Sequence, residues 1–271
     1  MDYSVLMSVY YKEKPDFLRA SMQSIYDQTV PADDFVLVCD GPLTEELDLV
    51  IEQMQRLFHQ RLQVVRLKEN GGLGKALNEG MKYCRHSLVA RMDSDDIARS
   101  DRCEWQLEVF RHYPETDIVS GIIEEFEDHP GDLSSRRIPP ETNKEIIRYA
   151  KKRNPFNHPC VMYRKEKVEE AGGYQDFYLL EDYYLWIRMI LQHARGYNIQ
   201  RPLLWMRVGN GMYKRRSGWK YALSQRRLFA YMRQQGFIST PLYYRTVITR
   251  TTGAMIPNRL REFLYNRYLR K

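Results

Sequence analysis

Over the first 120 positions, short apolar runs alternate with amphipathic stretches. The runs at Ser4 to Val9, Phe35 to Cys39, Leu62 to Leu67, Leu88 to Met92 and Ile118 to Ile123 each predict a strand. Between them apolar residues recur at helical spacing: Phe17, Leu18, Met22 and Ile25 share one face of a helix predicted over Pro15 to Asp27. A second helix is predicted over Glu45 to Phe58, with Thr44 as its cap, and two more over about Lys75 to Tyr83 and Asp101 to His112. Strands and helices in this alternation point to β-α-β units around a mostly parallel sheet, an α/β fold.

The texture changes after residue 125. Residues 126–143 are rich in turn formers and predict a loop or excursion. Cys160 to Tyr163 reads as a short strand, Lys165 to Ala171 as a helix stopped by Gly172 and Gly173, and Glu181 to His193 as an amphipathic helix. From Trp219 onward the chain reads as helical, with breaks at Gly236, Pro241, Gly253 and Pro257. The expected organisation is one domain over 1–218, in halves 1–125 and 126–218, followed by an extension over 219–271.

Composition fits a folded globular chain: of 271 residues, 43% are hydrophobic and 28% charged, which excludes a disordered one. Cys39, Cys84, Cys103 and Cys160 form no CxxC pair, which excludes a zinc ribbon or a thioredoxin-like motif and leaves free buried thiols of a reducing cytoplasm. The first residues carry no secretion signal. No run approaches the roughly 18 to 20 apolar residues of a spanning helix, so any membrane contact is expected to be peripheral. The net charge of +7 hides an asymmetry. Residues 201–271 hold 16 Lys or Arg and a single acid, Glu262, whereas the first 200 carry 26 bases and 34 acids. A basic, aromatic-rich segment on an acidic body suits an anionic partner: phosphate, lipid or nucleic acid.

In open α/β sheets ligands bind at the carboxyl ends of strands. Those ends here carry Tyr10, Tyr11 and Glu13; Asp40, Gly41 and Pro42; Asn70 to Lys75; and Arg91 through Asp96. Asp93, Ser94, Asp95 and Asp96 form the sharpest feature. Three carboxylates within four residues repel one another unless a cation sits among them, and hard oxygen ligands favour Mg2+ or Mn2+. An Asp-rich turn capping a helix near Ser100 would read the same way. In NGGLGKALNEG, Gly71, Gly72 and Gly74 permit a tight turn near a ligand and Lys75 could neutralise phosphate, although the spacing is not that of a P-loop and a plain β-α turn has the same composition. Glu181 and Asp182 suit the macrodipole of a helix start, and equally the base that group transfer to an alcohol requires, with Asp182 the first choice. His158 in the Asn157-His158-Pro159 turn, Trp186 and Arg188 beyond the LLED run, and Lys214 and Arg215 in a Gly-flanked loop are candidate acceptor or diphosphate contacts.

Taken in order, SVYYKE, VCDGP, ENGGLGKALNEG, ARMDSDD with Arg102 and Gln106 after it, FNHP and LLEDYYLWIRM resemble the family 2 glycosyltransferases of the GT-A fold, especially bacterial enzymes that extend O-antigen or capsular repeats. The resemblance spans about residues 3 to 220. It implies a Rossmann-like nucleotide-binding layer within a mixed sheet, and a UDP-sugar donor contacted by Tyr10, Glu13, Asp40, Gly72, Lys75, Arg91, Asp93, Ser94 and Asp95. It also implies Mn2+ or Mg2+ on Asp95 and Asp93, and Asp182 as catalytic base with Glu181 beside it. Tyr11 stands where the family commonly has Asn. The implied acceptor is a lipid-linked or oligosaccharide glycan, with UDP-galactose or UDP-glucose the favoured donor. On this reading Tyr243, Tyr244, Phe263, Tyr265 and Tyr268, beside Arg245, Arg250, Arg259, Arg261, Arg267 and Arg270, would meet the anionic inner face of the bacterial cytoplasmic membrane. A sugar-phosphate nucleotidylyltransferase would instead carry a basic glycine-rich first loop, and Tyr-Tyr-Lys-Glu has no glycine. A basic nucleic-acid-binding protein would leave the DSDD and LLED runs without a role, and no nucleic-acid partner is expected.

Overall fold

A computed structural model gives the architecture of residues 1–209 and 218–255, with side chains as far as residue 250. The chain begins β1 (Tyr3–Val9), α1 (Pro15–Tyr26), β2 (Asp34–Cys39), α2 (Glu45–Phe58), β3 (Leu62–Arg66), α3 (Leu73–Met81), β4 (Leu88–Asp93). A two-residue strand β5 (Ile97–Ala98) precedes α4 (Arg102–His112), β6 (Ile118–Phe126) and β7 (Arg136–Arg137). Then follow α5 (Asn143–Ala150), β8 (Met162–Arg164), α6 (Lys165–Glu170), α7 (Glu181–Leu191), β9 (Gly196–Arg207), α8 (Trp219–Gln234) and α9 (Thr240–Met255). The strands make one mixed sheet in the order β3-β2-β1-β4-β8-β6-β9-β5, with β7 on β6. Strands β1 to β4 are mutually parallel. The reversal comes at β8, which runs antiparallel to both β4 and β6.

Hydrophobic cores fill both faces of the sheet. In β1 the side chains alternate between them, Val5, Met7 and Val9 joining α1, α2 and α4 on one face, while Leu6 joins α3, α6 and α7 on the other. Helix α3 lies so close to the sheet that a Cβ at Gly80 would come within 2.4 Å of Leu6 Cδ1 and 2.6 Å of Val38 Cγ2. That approach fixes the helix following the glycine-rich turn, and so fixes the turn. All four cysteines are buried as free thiols.

A buried charge serves the sheet where its ladder is interrupted. Arg102 donates from NH2 to the Arg91 carbonyl at 2.6 Å, and from Nε to Gln106 Oε1 at 3.1 Å. Gln106 donates in turn to the Cys160 and Val119 carbonyls at 2.8 and 3.2 Å. These two side chains donate to backbone carbonyls of β4, β6 and the turn before β8, which is why both are polar yet fully buried.

The second half departs most from expectation. The predicted excursion contains a strand pairing, Ile123 and Glu124 with Arg137 and Arg136. It runs into α5, whose capping box joins Thr142 and Glu145. Cys160 sits in a 3-10 turn rather than in β8. The 12-residue β9 was not expected, because register shifts around Ile122 and the interior Pro202 erase its alternation. Helices α8 and α9 form where helix was predicted. Their outward set differs, however: Tyr243 is buried, and Arg250 turns inward to donate to Gln225 Oε1 at 2.8 Å. Phe263, Tyr265, Tyr268, Arg259, Arg261, Arg267 and Arg270 lie outside the described residues. Among the described residues no helix is long and apolar enough to cross a membrane.

Candidate functional site

Register brings the strand ends together. Ser8 pairs with Asp93 across β1 and β4, Val9 pairs with Cys39 across β1 and β2, and the Asp40 amide donates to the Val9 carbonyl at 2.8 Å. Tyr10, Asp40 and the acidic run therefore leave one rim of three adjacent parallel strands. The Asp40 carboxylate accepts from the Gly71 and Gly72 amides at 2.7 and 2.9 Å, which draws the glycine turn onto that rim. Lys75 projects from the first turn of α3, exposed. Tyr10 and Tyr11 are 37% and 49% exposed beside it, packed edge to face.

The acidic residues divide their roles. Asp93 accepts hydrogen bonds on both carboxylate oxygens from the guanidinium of Arg91, 2.8 Å for the NH1 contact. Its carbonyl accepts from Ser21 Oγ of α1 at 2.7 Å. Arg91 is only 1% exposed, so as a direct donor contact it does not fit: it works from beneath, holding Asp93. Asp96 is buried as well. One of its oxygens accepts from the Arg207 amide of β9 at 2.8 Å, and the other, Oδ2, has no hydrogen-bond partner among the described residues. It does not serve the start of α4, as the sequence suggested, but ties the acidic turn to β9. Nor does the run cap α4: the N-cap Asp101 makes no capping bond, and the Cys103 amide in the first turn donates instead to Gln28 Oε1 at 3.0 Å.

Asp95 is the remaining acid. Burial, then the charges of Asp93 and Glu13, push its carboxyl up to about 7. Glu13 is held at this spot by a hydrogen bond from Ser94 Oγ. One oxygen from each of Asp93, Asp95 and Asp96 lies within 4.8 Å of the others. An all-carboxylate set, one member with an unsatisfied buried oxygen and another made reluctant to ionise by its neighbours, fits a hard divalent cation. Arg207 borders the cluster, with Nε donating to the Asp95 carbonyl at 3.1 Å and its guanidinium stacked on Phe17 and Phe126. Sequence reasoning missed it, because 112 positions separate Arg207 from Asp95 and nothing local marks the pair.

A second acidic pair opens α7. Asp182 Oδ2 accepts from Asn154 Nδ2 at 2.6 Å, and Oδ1 from the Tyr183 amide at 2.6 Å. Asn154 was not singled out by sequence, although it sits only two positions before the FNHP run. Leu179, just ahead of the helix, takes a φ of 58°, a conformation a branched side chain adopts at a cost of about 1 kcal/mol or more. Between the two acidic groups lies Tyr174, whose hydroxyl is raised by burial, and on which the charges of Arg91, Asp182 and Glu181 all act. Tyr174 is fixed by reciprocal backbone bonds to Asn78 of α3 at 2.6 and 2.8 Å.

Three expected acceptor contacts do not fit. His158 is buried with Nε2 2.9 Å from the Tyr174 hydroxyl, and burial together with Arg91 lowers its pKa, so it is a neutral packing residue. Trp186 is fully enclosed among Phe156, His158, Tyr163 and Tyr174. Arg188 is spent on the carbonyls of Ala171 and Gly173, the C-terminal end of α6. In each case helical periodicity turned the side chain inward from a helix or turn whose outer face was unknown. Lys214 and Arg215 lie outside the described residues.

Comparison with known proteins shows the family and the fold. The profile of glycosyl transferase family 2 matches residues 4–172. The UDP-Gal:alpha-D-GlcNAc-diphosphoundecaprenol beta-1,3-galactosyltransferase of Escherichia coli is 38% identical, over 99% of this chain and 97% of its own. Staphylococcus aureus TarS residues 1–349 in complex with UDP-GlcNAc superposes with a TM-score of 0.70 at 17% identity, over 98% of this chain and 79% of that fragment. The Pyrobaculum calidifontis mannosyltransferase PcManGT, in complex with GDP-Man and Mn2+, gives 0.65 at 18% identity, over 92% and 68%. The last two share the fold, which is GT-A. With the profile covering more than half of the chain and a relative aligned along nearly all of it, this chain belongs to glycosyl transferase family 2.

Proposed function

We propose that this chain moves a hexose, galactose or glucose, from a UDP-sugar to a hydroxyl of a polyprenyl-diphosphate-linked sugar in the assembly of a bacterial surface polysaccharide, with inversion at the anomeric carbon. The observation that carries this reading is the pairing of an all-carboxylate cluster at the strand rim with a hydrogen-bonded carboxylate at the start of α7. The E. coli relative supports the donor, the acceptor and the setting.

In the proposed reaction the acceptor oxygen bonds to the anomeric carbon as the bond from that carbon to the diphosphate oxygen breaks. The hydroxyl proton passes to Asp182, and UDP leaves with the bonding electrons. Asn154 holds and aims Asp182 through its hydrogen bond; Glu181 beside it faces the acceptor or the sugar. Tyr10, Glu13, Asp40, Gly72 and Lys75 receive the nucleotide, and Asp93 and Ser94 line the turn next to it. A divalent cation, Mn2+ or Mg2+, held by Asp95 with Asp93 and Asp96, would supply positive charge to the departing diphosphate. A UDP-sugar donor and a lipid-linked acceptor together favour work at the inner face of the cytoplasmic membrane, as a peripheral protein.

The test is UDP release from a panel of UDP-sugars with a GlcNAc-diphosphate-lipid analogue and Mn2+. Asp182→Asn should lower turnover by a factor of about 10² to 10⁴ while UDP binding by calorimetry stays within about twofold. Near-wild-type turnover in that variant would remove Asp182 as the base, and silence with every donor would remove the transferase reading.

A further inference from the structure

Helices α8 and α9 present two different faces. Inward, Leu228, Phe229 and Met232 of α8 are buried. Phe229 meets Tyr183 edge to face, Tyr231 meets Tyr184, and Ser224 Oγ donates to the Tyr178 carbonyl at 2.8 Å. The pair is thereby packed directly on α7, the helix that opens with Asp182. The inward turn of Arg250, stacked on Phe229, and the burial of Tyr243 brace it further.

Outward, Trp219, Ala222, Leu223 and Arg226 follow the spacing of one helical stripe. Together with Tyr244, Val247 and Ile248 of α9 they line a groove of about 430 Å³. Ala222 and Tyr243 form its buried floor, and its apolar walls are open to solvent: Trp219 is 63%, Leu223 43%, Tyr244 55% and Ile248 60% exposed. Exposed cations Lys220, Arg226 and Arg245 flank it. No Asp or Glu occurs between residues 201 and 261, so the cations have no local counter-charge in sequence. Aromatic and aliphatic side chains beneath a wholly basic rim complement a surface that is apolar within and negatively charged above.

We propose that the outer α8–α9 face docks on an anionic bilayer surface. Trp219, Leu223, Tyr244 and Ile248 enter the headgroup boundary, and Arg226 and Arg245 meet the lipid phosphates. Because α8 also packs on α7, docking would set the bilayer one helix layer, on the order of 10 Å, from the start of the helix that bears Asp182. The inference rests on the transferase reading for its purpose but not for its test.

The full chain is floated with phosphatidylcholine vesicles, with and without phosphatidylglycerol, and UDP release onto a short-chain, water-soluble acceptor is followed on the same preparations. The wild type should float with the phosphatidylglycerol vesicles, and salt should weaken it. Leu223→Asp and Ile248→Asp should each weaken binding roughly tenfold or more. Arg226→Gln and Arg245→Gln should cost about fivefold each and flatten the salt dependence. All four positions are exposed, so thermal midpoints and transfer to the soluble acceptor should not change. Equal flotation of variants and wild type, or no flotation of the wild type, overturns the proposal. So does a dimer, detected by sedimentation, that the same substitutions dissolve while flotation is unaltered. A preparation that floats as described yet transfers no sugar leaves the docking surface standing and removes the transferase reading.

Discussion

Asp95→Asn should make the metal-free protein more stable and at the same time insensitive to divalent cations. Burial and the charges of Asp93 and Glu13 lift the Asp95 carboxyl from 3.8 to about 7. At 1.36 kcal/mol per unit that shift corresponds to roughly 4 kcal/mol, an upper limit because Asp95 keeps some contact with water. About 1 to 2 kcal/mol is the expected release on removing the charge, or about 2 to 6 °C for a chain of this size. The sign follows from proton binding. Between pH 4 and 7 the folded state holds a proton on Asp95 that the unfolded chain gives up, so this group makes the metal-free protein progressively less stable as pH rises through that window, with the full penalty above it. Thermal melts in chelator at pH 5 and pH 8 should therefore show Asp95→Asn gaining on the wild type chiefly at pH 8. Mn2+ at ten times its Kd should return about 1.4 kcal/mol to the wild type and almost nothing to the variant. If the variant melted at or below the wild type at pH 8, and Mn2+ stabilised both alike, the repulsive cluster would not be a metal site.

Other positions give independent checks. Wild-type affinity for Mn2+, read by electron paramagnetic resonance, should fall as pH drops below 7, approaching tenfold per unit, because the proton competes for Asp95. Asn154→Ala should lower kcat about tenfold with KM within about twofold, since Asp182 loses the hydrogen bond that aims its carboxylate, and Asn154→Gln should recover part of the loss; a change in KM alone would make Asn154 merely structural. Gly80→Ala should cost about 1 to 3 kcal/mol in urea unfolding, because its Cβ meets Leu6 and Val38 inside contact distance. Arg102→Met should cost about 3 kcal/mol or more, since the Arg91 carbonyl and Gln106 Oε1 both lose the guanidinium donor in a site closed to water.

Much of this molecule could be read from the chain alone, and the reasons are local. Buried parallel strands such as Phe35 to Cys39 are continuous apolar runs, so β1 to β4 and β6 appear near their predicted places. The Thr44 cap is likewise a short-range signal, and it accepts from the Leu47 amide as its position implied. The acidic run stood out because three carboxylates within four residues repel one another unless a cation sits among them. Strand β9 was hidden because its register shifts break the period on which such reading depends. Asn154 beside Asp182, Arg207 beside Asp95 and Tyr174 between the two acidic groups depend on chain segments far apart in sequence. No local rule links them; only packing does. Tertiary structure also decided direction. Trp186, Arg188 and His158 had suitable chemistry, but α6, α7 and the sheet close over them, and burial turned them from candidate contacts into scaffold. The sequence by itself determined which residues could bind a cation or take a proton; folding decided which of them face the same space, because that depends on helix rotation and strand register summed over the whole chain.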